Sequence, residues 1–71
     1  MTSLHKLKRA AESITGERAV IKYNERTGAY VEVASENPIE INTLDSVCEQ
    51  TDALMKVAEP NHFGEHRYLF R

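Results

Sequence analysis

Tryptophan is absent from this chain, cysteine occurs once, proline twice and glycine three times, and the large aromatic side chains are three tyrosines and two phenylalanines. Each scarcity removes a class of protein. A lone Cys48 cannot form an internal disulfide, which excludes a cystine-stapled scaffold and points to a reducing, cytoplasmic setting. With so little glycine there is no G-x-G-x-x-G fingerprint, no phosphate-cradling loop and no G-x-S-x-G elbow. No apolar run approaches the roughly 18 residues that span a bilayer. Lys6, Lys8 and Arg9 interrupt the early apolar stretch a signal peptide would need. Few aromatic rings leave few platforms for stacking bases, and a sequence pI near 5.9 lies well below the basic range usual for nucleic-acid binders.

A chain of 71 residues makes one domain, residues 1–71. Its size lets it bury only about 60% of the surface its unfolded form exposes. Small scaffolds commonly compensate with disulfides, a metal or a partner subunit. With the first two lacking support, a homodimer is the expected way to enlarge the core.

What is present begins with a hairpin from Arg18 to Ala34. In Asn24-Glu25-Arg26-Thr27-Gly28, a type I turn followed by left-handed glycine gives a three-residue loop with a G1 bulge. Taking Arg26, Thr27 and Gly28 as that loop sets Tyr23 opposite Val31 and Ile21 opposite Val33. The other face then pairs Lys22 with Glu32, Asn24 with Tyr30 and Val20 with Ala34. This register gathers β-branched and aromatic residues on one face and opposes unlike charges on the other, as cross-strand energetics favour.

Before the hairpin, Leu4, Leu7, Ala11 and Ile14 recur at helical spacing from Ser3 to Thr15. Thr2 or Ser3 can cap the start, and Gly16 suits a left-handed C-cap. After it, Ser35-Glu36-Asn37-Pro38 signals a turn, and Pro38-Ile39-Glu40-Ile41 alternates like a short strand. Asn42 or Thr43 can cap a second helix extending to about Ala58, with Leu44, Val47, Thr51, Leu54 and Ala58 as its seam. Pro60 ends it. Arg67 to Arg71 alternates as a terminal strand that should pair with a sheet edge, its own or a partner's. The expected fold is therefore α+β, a small two-layer α/β sandwich of order α-β-β-β-α-β. Its mostly antiparallel sheet of three to four strands carries both helices on the Ile21/Tyr23/Val31/Val33 face.

Catalytic and metal signals are weak. His62 and His66 are four residues apart, but Pro60 and Gly64 oppose the helix that would align them for a metal. Cys48 has Glu49 beside it and Asp45 one turn earlier, which disfavours a thiolate. Glu36 and Glu40 have no evident cleft. No catalytic residue, metal site or cofactor is expected.

Two surfaces remain. Asp45, Glu49 and Asp52 follow i, i+4, i+7 and form an acidic stripe on the second helix. Val20, Tyr30, Tyr68 and Phe70 are expected on the sheet face away from the helices, an apolar patch suited to a partner. Charge is also divided along the chain. Residues 1–31 carry six basic side chains (Lys6, Lys8, Arg9, Arg18, Lys22 and Arg26) against three acidic ones, whereas residues 32–71 carry three basic against eight acidic. These features predict a non-enzymatic interaction protein that binds a larger protein through the acidic helix face or the exposed sheet face. Regulators, adaptors and inhibitors, bacteriophage-encoded ones included, are the class it fits. The alternative is a weak nucleic-acid binder using the six early basic residues.

Overall fold

A computed structural model describes residues 3–71. The elements run α1 (Leu4–Thr15), β1 (Ala19–Asn24), β2 (Gly28–Ser35), α2 (Ile41–Thr51), β3 (Met55–Ala58) and β4 (His66–Phe70). Two helices pack on one face of a four-stranded antiparallel sheet of order β1-β2-β4-β3, forming a plate of 32 × 29 × 16 Å. The α+β class, the two layers and the one-sided placement of the helices are as expected. The element order is α-β-β-α-β-β, and two segments account for that difference.

The first is Pro38–Ile41, which pairs with no strand. Ile39 packs against the core, and its backbone N–H donates to the Tyr68 hydroxyl at 3.0 Å instead of to a ladder. Helix α2 already begins at Ile41, with Glu40 as N-cap residue and without a side-chain cap. Neither Asn42 nor Thr43 serves as the cap.

The second is the end of α2. The helix stops at Thr51 because Asp52 turns left-handed (φ 60°), and the chain re-emerges as β3. Leu54 and Arg71 exchange backbone hydrogen bonds of 2.8 and 3.0 Å, which starts the β3–β4 ladder. Leu54 and Ala58 fit a helical seam as well as a strand does, so local periodicity carried no decision here. Pairing with β4 overrides the helical preference of Leu-Met-Lys. β4 thus lies inside the sheet, between β2 and β3, and both of its partners belong to the same chain.

Helix α1 conforms to its capping signals. The Ser3 side chain accepts from Lys6 N–H at 3.2 Å, and Gly16 takes φ 73° while donating to the Glu12 carbonyl. Thr2, the other proposed cap, lies outside the described residues. Leu7 and Ala11 bury the helix against Ala19, Val31 and Val33, and α2 adds Leu44 and Val47.

The hairpin is present, but its register differs from the sequence expectation by two residues. Ile21 faces Val31, Lys22 faces Tyr30, Val20 faces Glu32 and Asn24 faces Gly28, leaving Glu25, Arg26 and Thr27 in the turn. Arg26 N–H donates to Asn24 Oδ1 at 2.8 Å, an Asx turn that fixes this closure, and Gly28 takes φ 84°. A shift of two preserves which side chains share a face. The helix-bearing face is therefore the expected one, although its distal members run past the helices: Ala19 is buried, whereas Tyr23 is 73% exposed.

The larger correction concerns β4. Val31 pairs with Phe70 and Val33 with Tyr68, which sets both aromatics on the helix side. Phe70 is 0% exposed and Tyr68 6%. They are core residues and leave the expected outer patch.

Candidate functional site

The antiparallel registers fix which side chains share the uncovered face of the sheet. Its central row is Val20–Glu32–Leu69–Lys56 across the four strands, and Ala34–Arg67–Ala58 lies on one side of it. On the other side Lys22 pairs with Tyr30, and Arg71 pairs with Leu54 one residue beyond the ladder ends. No helix covers any of these rows, since both helices pack on the opposite face.

Glu32 sits at the centre and is only 6% exposed. Lys22 Nζ lies 2.8 Å from Oε2, and Arg67 Nε donates to Oε1 at 2.6 Å. Lys22 reaches Glu32 diagonally, not from the directly opposed position the sequence suggested. A long side chain spans that diagonal comfortably. Burial pushes the Glu32 carboxyl up, but hydrogen bonds from Lys22 and Arg67, together with their charges, outweigh this and hold it below its ordinary range. Arg67 also donates to the Glu59 carbonyl at 3.2 Å, tying the triad to the loop after β3.

Around this triad the charge is one-sided. Arg18, Lys22, Lys56, Arg67 and Arg71 belong to this face, five of the nine basic side chains. Of eleven acidic side chains it holds Glu32, with Glu65 at its rim. Among the described residues, Arg18, Lys56 and Arg71 have no carboxylate within 4.0 Å. Arg71 donates one N–H to the Thr27 carbonyl at 2.8 Å, which positions its guanidinium and leaves its other donors unclaimed by the contacts described.

A groove of about 390 Å³ opens here, between the hairpin turn and the start of β3. Tyr30, Leu54 and Leu69 give it apolar surface, Lys56, Arg67 and Arg71 give it positive charge, and Asn24 and Thr27 close the hairpin end. Leu54 is 76% exposed. A second recess of about 300 Å³ lies along Arg18, Val20, Glu32, Ala34 and Glu65.

Val20 and Tyr30 are on the open face, half-buried, as expected. Asp45 and Glu49 are exposed on α2, but Asp52 leaves the helix as its C-cap residue, so the stripe ends after two members. The six early basic residues do not converge. Lys6, Lys8 and Arg9 lie on α1, where Lys8 reaches Glu12 at 4.0 Å; Arg18 and Lys22 lie across the sheet, and Arg26 lies in the turn. Lys56, Arg67 and Arg71 were missed as site residues. The Arg67/Leu69/Arg71 alternation was the available signal for two of them, whereas Lys56 was concealed inside an overextended helix.

Among the described residues, no group of three or more His, Cys, Asp or Glu side chains could hold a metal ion. Burial, and then the Asp45 carboxylate, pushes the Cys48 thiol up, the opposite of what a nucleophile needs. No described helix is long and apolar enough to cross a membrane. No family model matches the chain, and neither a curated protein nor a solved structure matches it.

Proposed function

We propose that this chain is a non-enzymatic interaction module, of the regulator, adaptor or inhibitor kind, which binds a larger protein partner through the open face of its sheet. The observation that carries this reading is the composition of that face: Lys56, Arg67 and Arg71 line a groove with Tyr30, Leu54 and Leu69, while Lys22 and Arg18 lie farther across the same face and Glu32 is its one buried carboxylate. A face kept merely soluble would gain nothing from collecting cations of one sign, because unlike charges interspersed repel less. The truncated Asp45/Glu49 stripe is the weaker dock.

A homodimer remains the expected response to small size, but the charge pattern disfavours joining two open faces across a twofold axis. There Arg18, Lys56 and Arg71 would approach cations of the same set. The second reading, a weak nucleic-acid binder, draws on the same five open-face cations rather than on the dispersed residues of α1 and the turn.

Affinity capture from a lysate of the source organism tests the leading reading. A combined Leu54→Ser, Lys56→Glu, Arg71→Glu variant alters exposed residues only and should lose the captured protein. Neutralising Asp45, Glu49 and Asp52 should leave capture intact. The reverse result would move the dock to α2.

A further inference from the structure

We infer that the occupant of the open face is an acidic peptide segment whose apolar side chain enters the groove between Tyr30, Leu54 and Leu69 while its carboxylates meet Lys56 and Arg71; this rests on the function proposed above. Three observations select that chemistry.

First, the groove combines an apolar lining with cations at its wall. Leu69 lies between Glu32 and Lys56 in the central row, and exposed Leu54 projects beside Arg71. A ligand that satisfies both must itself be apolar and anionic. An apolar side chain seated there is removed from water, whereas each exposed ion pair stays solvated and screened. The apolar anchor supplies affinity, and the carboxylates supply orientation and specificity.

Second, the cations extend beyond the groove. From Arg67 in the groove wall, Lys22 and Arg18 continue across the sheet towards the second recess. A compact small anion would use two of them. An extended acidic segment uses the series.

Third, the same pattern disfavours other occupants. A polynucleotide needs stacking platforms, and the groove offers Tyr30 as its single aromatic ring among aliphatic side chains. Outside the open face and its rim, nine acidic side chains oppose four basic ones, so a long polyanion would be repelled wherever it left the sheet. A second copy could bring its acidic helix side onto this face, but that contact is head-to-tail and would not close into a dimer.

Fluorescence anisotropy tests the inference on the intact chain. The probes are a labelled Glu-Leu-Glu repeat peptide, the matching Lys-Leu-Lys peptide and a labelled oligothymidine strand. The Glu-Leu peptide should bind, and Leu54→Ser/Lys56→Glu/Arg71→Glu should weaken it about tenfold or more, equivalent to about 1.4 kcal/mol. Equal binding of the Lys-Leu peptide overturns the inference, as does tighter binding of oligothymidine. Light-scattering mass that rises with concentration, and falls back in the triple variant, would instead assign the face to a second copy. If no Glu-Leu binding occurs but the triple variant still loses its captured partner, the face is right and the acidic occupant is wrong. If capture is also unchanged, the proposed function fails with it. Circular dichroism of the variant, expected to match the parent, separates lost binding from lost fold.

Discussion

Arg67 donates from Nε to Glu32 Oε1 at 2.6 Å on a sheet face that no helix covers, and Lys22 completes the bridge from the far side at 2.8 Å. Three adjacent strands, β1, β2 and β4, are thereby linked by charge as well as by their ladders. The carboxylate is buried by its neighbours on the sheet instead of by a second layer. Its two partners keep contact with water, so they remain able to present charge to a ligand.

This arrangement makes stability depend on acidity in a defined direction. The Glu32 carboxyl is held below its ordinary 4.5 in the folded chain, so the folded state binds its proton less readily than the unfolded state. Its contribution is fully present above about 4.5 and is lost as pH falls through the lower folded value. Urea denaturation between neutral and strongly acidic pH should show the fall. Glu32→Gln should reduce stability by about 1–3 kcal/mol at neutral pH and flatten the acid slope. An unchanged slope would mean that other carboxylates dominate.

Phe70 offers a test of the β4 register. Truncation to alanine should cost about 3–5 kcal/mol, because the ring is fully enclosed among core residues. Many domains have only about 5–15 kcal/mol in total, so this variant should be largely destabilised. Tyr68→Phe should cost about 0.5–1.5 kcal/mol by removing the acceptor for Ile39 N–H. Were both rings on the outer face, thermal melts of the two variants would barely move.

Asp52 is the one non-glycine residue with positive φ among the described residues, at 60°. Glycine adopts that conformation without the Cβ contact that penalises other residues. Relief of about 1–2 kcal/mol of left-handed strain, set against about 0.4–1 kcal/mol for glycine's larger unfolded-state entropy, means that Asp52→Gly should raise stability by up to about 1 kcal/mol, read as a higher denaturation midpoint. A decrease would show that the aspartate makes a compensating contribution at the helix end.

The extent to which sequence anticipated structure follows from which signals were local. Ser3 and Gly16 bound α1, and Asn24 with Gly28 locates the hairpin turn, because capping and turn chemistry reside in a few adjacent residues. Register was not local: Val31 and Val33 are interchangeable partners for Ile21 on a pattern of period two, and only the closure at Asn24–Gly28 separates them. β3 was concealed because Leu54 and Ala58 satisfy helical spacing while their partners, Arg71 and Arg67, lie beyond the loop that separates β3 from β4. The same error concealed the site. With Lys56 on a helix, Arg67 and Arg71 were simply the flanks of a terminal strand; with Lys56 on β3, all three join Lys22 and Arg18 on one face.

Charge reversal on that face shows whether it chooses its partner by sign. In Lys56→Glu/Arg71→Glu, with Leu54 retained, the apolar groove persists while the sign of its exposed wall changes. Anisotropy titrations should show the Glu-Leu peptide losing about tenfold or more in affinity and the Lys-Leu peptide gaining by a comparable factor, both effects shrinking as salt is raised. If both peptides bind the reversed face as they bind the parent, the open sheet face does not select its partner by charge, and the account is contradicted.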